Sequence, residues 1–102
     1  MEFEVRTTCF FKSQVEGLDE KSRRIILDKF QLIKLNPFRY KCVESKEYSR
    51  VHRVRLTVND KSVRMVYVII GNIIWVVCLI DREKDYANLD DYLKRHLGEL
   101  SE

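Results

Sequence analysis

Between Arg64 and Asp81 the chain runs for sixteen residues without a charge, and Gly71-Asn72 breaks that run near its middle. A helix that crosses a membrane needs roughly 20 apolar residues, so the run is too short to span one. Gly-Asn accepts positive φ cheaply and suits a two-residue turn between strands. On either side of it, Met65 to Ile70 and Ile73 to Ile80 are β-branched and aromatic, and apolar at successive positions. That is the pattern of central strands covered on both faces. Upstream the pattern alternates: Val54, Leu56 and Val58 fall on one face of a strand, and Arg53 and Arg55 on the other. Asn59-Asp60-Lys61-Ser62 reads as the turn that leads into the hairpin.

The first third has a different period. Phe3 to Arg6 reads as a short strand. Thr8 can cap a helix in which Phe11, Val15 and Leu18 form one apolar stripe, and Gly17 ends it. Asp19 caps a longer helix with Ile26, Phe30 and Ile33 at the same spacing. Asn36-Pro37 stops that helix, because the residue before proline avoids the α region. Residues 38–49 show no clear period and read as a loop, at most with a poor edge strand. After Asp81 a polar loop leads to a last helix, with Asn88 or Asp90 as its cap and Leu89, Tyr92, Leu93, His96 and Leu97 on one side. The order predicts one α+β domain over residues 1–102: an N-terminal strand, a helical hairpin, a three-stranded antiparallel meander and a C-terminal helix.

Composition narrows the setting. The chain is 45% apolar and 34% charged, the balance of a globular domain with a well-charged surface. Cys9, Cys42 and Cys78 are an odd number with no CxxC pair, which points away from a disulfide framework or zinc site and toward a reducing, cytoplasmic setting. Met1-Glu2-Phe3-Glu4 lacks the basic and apolar regions of a secretion signal. The net charge of +3 conceals an uneven distribution. Residues 39–64 carry eight bases against three acids, whereas residues 81–102 carry four against seven. A basic segment beside a neutral core is the footprint of a polyanion site, and five of the eight bases are arginines, whose forks fit phosphate.

On the predicted scaffold Arg53 and Arg55 project from one strand face, Arg64 opens the next strand, Arg82 closes the last, and Tyr86 follows. The meander is expected to bring the four guanidiniums and the phenol to one rim. Holding them together costs several kcal/mol of repulsion unless solvent or an anion screens it. The alternative is a set of surface ion pairs with Asp81, Glu83 and Asp85, worth under about 1 kcal/mol each. Enzyme signatures of other kinds are missing: no glycine-rich phosphate loop, no His/Cys metal spacing and no nucleophile elbow. Neither a cofactor nor a metal is expected. His52 falls on the core-facing side of its strand and reads as a satisfied, partly buried residue. His96 reaches the rim only if the last helix folds back over the sheet.

Together these residues resemble the RelE/ParE superfamily of toxins from type II toxin–antitoxin systems. The resemblance rests on the element order and on four short motifs: Asn36-Pro37, Arg53-Val54-Arg55-Leu56, Val63-Arg64-Met65-Val66-Tyr67, and Asp81-Arg82-Glu83-Lys84-Asp85-Tyr86. It covers nearly the whole chain. The RelE-like branch implies an endoribonuclease that cleaves mRNA in the ribosomal A site and is neutralised by a cognate antitoxin. In that branch Arg53 and Arg55 fall on basic strand positions, Arg64 on a phosphate-stabilising arginine, Arg82 on a proposed general acid, and Tyr86 on a tyrosine that orients the nucleotide. The family often has lysine where this chain has Arg53 and Arg55, and an arginine with a pKa above about 12 is a poor base. The ParE-like branch shares the fold and implies a gyrase inhibitor instead. A third alternative is an inactive module whose only partner is the antitoxin.

Overall fold

The structure, a computed structural model, describes residues 2–46, 48–81 and 89–97, with the side chains of Tyr92, His96 and Leu97 excepted. Its centre is the predicted meander: β3 (Val51–Val58), β4 (Lys61–Ile70) and β5 (Ile73–Ile80). Ile70 pairs with Ile73, leaving Gly71-Asn72 as a two-residue turn in which Gly71 takes φ 63°. The preceding turn is tighter than the sequence suggested. Val58 pairs with Lys61, so Asn59 and Asp60 turn the chain alone, at φ 50° and 64°, while Lys61 and Ser62 belong to β4. Asn and Asp tolerate this left-handed region better than other residues with a Cβ. The Asn59 side chain is held by Ser22, whose Oγ also accepts from the Asn59 N–H.

Two flanking strands complete a five-stranded sheet in the order β1-β5-β4-β3-β2. The short N-terminal strand β1 (Glu4–Thr7) runs parallel to β5. β2 (Lys41–Val43) lies in the segment read as a loop and pairs antiparallel with β3. β1 ends at Thr7, but the edge of β5 remains satisfied beyond it. The Thr8 N–H donates to the Val76 carbonyl and its hydroxyl to Val77. Gln14 then stands in for a strand, donating to the Leu79 carbonyl at 3.0 Å and accepting from the Leu79 N–H at 2.8 Å. Buried backbone groups left without such partners would cost about 1–3 kcal/mol each.

Both predicted helices of the hairpin form. α1 (Cys9–Glu16) is capped by the Thr8 side chain, which accepts from the Phe11 N–H, and α2 (Glu20–Leu35) by Asp19, which accepts from the Ser22 N–H. That bond holds the Asp19 carboxyl below its ordinary pKa. The hairpin covers one sheet face, where Phe11, Ile26 and Ile33 pack on Val54, Leu56, Met65, Tyr67 and Ile74. The opposite face carries a second cluster, in which Val51, Val66, Val68, Val77 and Cys78 meet Leu89 and Leu93 of α3 (Leu89–Leu97). Burying each such aliphatic side chain contributes about 1.5–3 kcal/mol. Cys78 belongs wholly to this packing, and burial pushes its thiol up to about 12. Asp90 is not the cap of α3, which starts at Leu89. Its carboxylate instead accepts from Ser45 Oγ at 2.6 Å and from the Lys46 N–H, tying α3 to the loop after β2. No helix among the described residues is long and apolar enough to cross a membrane.

β5 contains one irregularity. Tyr67 pairs with Val76 and Val66 with Cys78, so Val77 is an extra residue. A bulge of this kind re-aims the residues that follow it. Val76 faces the helical hairpin, but Cys78 joins the α3 side and Leu79 returns to the hairpin side.

Candidate functional site

β3 divides its side chains as the alternation predicted. Val54, Leu56 and Val58 pack under the helical hairpin, and Arg53 and Arg55 lie on the face that carries α3. On β4, Arg64 lies between the hairpin-facing Val63 and Met65 and so shares the arginine face. Arg55 and Arg64 are register partners. Direct partners across an antiparallel pair have Cα atoms about 4.5–5.5 Å apart, so the two cations leave the sheet side by side. Arg53 stands diagonally from Arg64, at about 7–8 Å by the same geometry. Arg55 is exposed, Arg53 and Arg64 are half-buried, and Arg64 Nε is buried. The structure thus brings Arg53, Arg55 and Arg64 together. Arg82 and Tyr86 lie outside the described residues, as do Glu83 and Asp85.

Two readings of single residues are decided. Asp81 does not sit among the arginines. It lines a cleft with Gln14, Leu18, Lys61 and Leu79 on the hairpin side of the sheet. His52 lies on that same side: its Nδ1 bonds to the Tyr40 carbonyl at 2.9 Å and its ring stacks on Tyr67 at 5.5 Å. Phe38 meets the imidazole edge-on, and Arg50 lies over Phe38. Tyr67 donates to the Pro37 carbonyl at 2.6 Å, and burial raises its pKa. His52 and Tyr67 are therefore structural groups that clamp residues 37–40 to the sheet, on the face away from the arginines. His96 belongs to α3, but its side chain lies outside the described residues.

One basic residue was missed. Lys41 is the register partner of Arg53 and therefore shares its face. The arginine face thus carries two like-charged cross-strand pairs, Lys41 with Arg53 and Arg55 with Arg64, across three neighbouring strands. Like charges directly opposite one another destabilise a sheet by roughly 0.2–1 kcal/mol per pair. The cost falls when an anion lies between them. The only sequence signal for Lys41 was the excess of bases in residues 39–64, which does not show which base lies where. Among the described residues no group of three or more His, Cys, Asp or Glu side chains is placed to hold a metal ion.

The elements and their order define a small α+β domain of the RelE-like fold, as the motifs implied. No family model matches the sequence, and no curated protein matches it. Among solved structures, the chain is similar to the toxin RelE of E. coli, in its free state and with two arginines replaced by alanine. The TM-score is 0.73 over 93% of this chain and 98% of that one, at 14% sequence identity. At that identity the likeness is one of fold.

Proposed function

We propose that this protein is the toxin of a type II toxin–antitoxin pair and acts as a ribosome-dependent mRNA endoribonuclease in the cytoplasm. The observation that carries the reading is the cross-strand pair Arg55–Arg64, with Arg53 on the same face, in a chain of RelE-like fold. Two adjacent guanidiniums offer parallel forks for phosphoryl oxygens.

In the proposed reaction the 2′-oxygen bonds to phosphorus, the bond from phosphorus to the 5′-oxygen breaks, and a proton leaves the 2′-oxygen while another reaches the 5′-oxygen. Arg64, with its register partner Arg55 beside it, stabilises the charge that builds on the phosphoryl oxygens, and Arg53 adds positive charge on the same face. Arg82 is the proposed general acid and Tyr86 orients the nucleotide. His52 is not the general base, because its imidazole lies on the opposite face. Arginine transfers protons poorly at neutral pH. Catalysis in this reading is dominated by electrostatic stabilisation and by the substrate geometry that the ribosome imposes. The antitoxin is a helical, acidic segment that covers the basic face, and its affinity falls with added salt.

Purified protein added to translating ribosomes is expected to cut mRNA in the A site, and Arg64→Ala to lose at least about tenfold in rate, or 1.4 kcal/mol of transition-state stabilisation. Cleavage at the wild-type rate in that variant overturns the assignment. Intact mRNA together with arrested gyrase supercoiling would identify the ParE-like alternative.

A further inference from the structure

The position of β2 gives the basic face a third strand. This short edge strand is fixed from the buried side, by the His52–Tyr40 and Tyr67–Pro37 bonds, and only its register sets what it presents opposite the arginines. It presents Lys41, exposed and directly beside Arg53. From Arg53 to Arg55 is one two-residue step along β3, about 6.8 Å. The cations therefore form two rows, Lys41 with Arg53 and Arg55 with Arg64, side by side across the sheet. One phosphate can use one row. A second row of the same sign in register with it has no role in binding a lone phosphate.

We infer that Lys41 and Arg53 form a second phosphate subsite, which holds the phosphate next to the one at Arg55 and Arg64. The surface then takes a single-stranded polynucleotide through two successive phosphates, and Lys41 is a positioning residue that sets where the strand lies. The inference rests on the proposed RNA reading and narrows it to a ligand of at least two phosphates.

The experiment measures binding of a labelled single-stranded RNA hexamer to the full chain by fluorescence anisotropy, without ribosomes, across a salt series. For single strands the slope of log K against log salt is about −0.7 per phosphate neutralised. Lys41→Ala is expected to shallow that slope by about 0.7 and to weaken binding several-fold at low salt. Lys34→Ala, an exposed change on α2 across the sheet, is expected to leave the slope alone. Lys41→Arg should keep the wild-type slope, because the subsite needs charge rather than the amine. An unchanged slope in Lys41→Ala, or the alanine slope in Lys41→Arg, overturns the subsite. So does a wild type that shows no salt-dependent RNA binding. Ribosomal cleavage lost in Arg64→Ala alongside an unchanged slope in Lys41→Ala would remove the subsite and leave the proposed function standing.

Discussion

The two faces of the sheet are built from the same strands and solve opposite problems. Under the helical hairpin, each buried polar group described has a partner chosen for it: Thr8 and Gln14 on the edge of β5, Ser22 on the 59–60 turn, His52 on Tyr40 and Tyr67 on Pro37. On the α3 face, Val51, Val66, Val68 and Val77 pack beneath α3 with Val43 beside them, while further along the same strands Lys41, Arg53, Arg55 and Arg64 give the surface to cations. The first face stabilises the fold. The second also buries an aliphatic cluster, and beside it sets like charges in register, the arrangement that the proposed anion site requires. One alternation on β3 serves both, since moving its register by one residue would exchange Leu56 with Arg55.

The sharpest way to test that division is to damage one face and read the other. Ile33→Ala removes a fully buried side chain of α2 and is expected to cost about 2–5 kcal/mol in chemical denaturation. The folded fraction should still bind RNA with the wild-type salt slope. A slope altered in the folded protein would mean that the faces are not independent. Tyr67→Phe is gentler. It deletes the donor to the Pro37 carbonyl and keeps the ring stacked on His52, so about 0.5–1.5 kcal/mol of stability should go. Because that bond clamps the segment before β2, hydrogen exchange at the amides of residues 38–43 should rise more than elsewhere in the sheet.

That clamp also explains which parts of the fold were legible in the sequence. The helices announced themselves through Thr8, Asp19 and Asn36-Pro37, all local signals, and the hairpin through Gly71-Asn72 between two apolar runs. β2 gave no such signal: Lys41-Cys42-Val43 is too short for a period, and long-range bonds through His52 and Tyr67 bring it to the sheet. The bulge at Val77 was equally hidden, since Val76, Val77 and Cys78 are all apolar and alternation cannot be read from them. At the candidate site the meeting of Arg53, Arg55 and Arg64 followed from strand period and turn position. Lys41 did not, because register between distant segments leaves no local trace. Arg82 and Tyr86, expected on the same rim, lie outside the described residues.

The smallest effect separates the two accounts of the cations most cleanly. If Arg55 served the fold, its replacement would destabilise the protein, as the loss of an ion pair or of packing along its stem does. If it serves an anion instead, Arg55→Thr removes a like charge directly opposite Arg64 and places a β-branched residue on a central strand. Both changes favour the sheet. The variant is expected to gain about 0.2–1 kcal/mol in denaturant titrations at low ionic strength, while its RNA salt slope becomes shallower by about 0.7. The gain should shrink as salt is added, because screening already relieves the repulsion in the wild type. A gain that persists unchanged at high salt would come from β-propensity alone. A loss of stability at every salt concentration would make Arg55 a structural residue and take the anion account of this face with it.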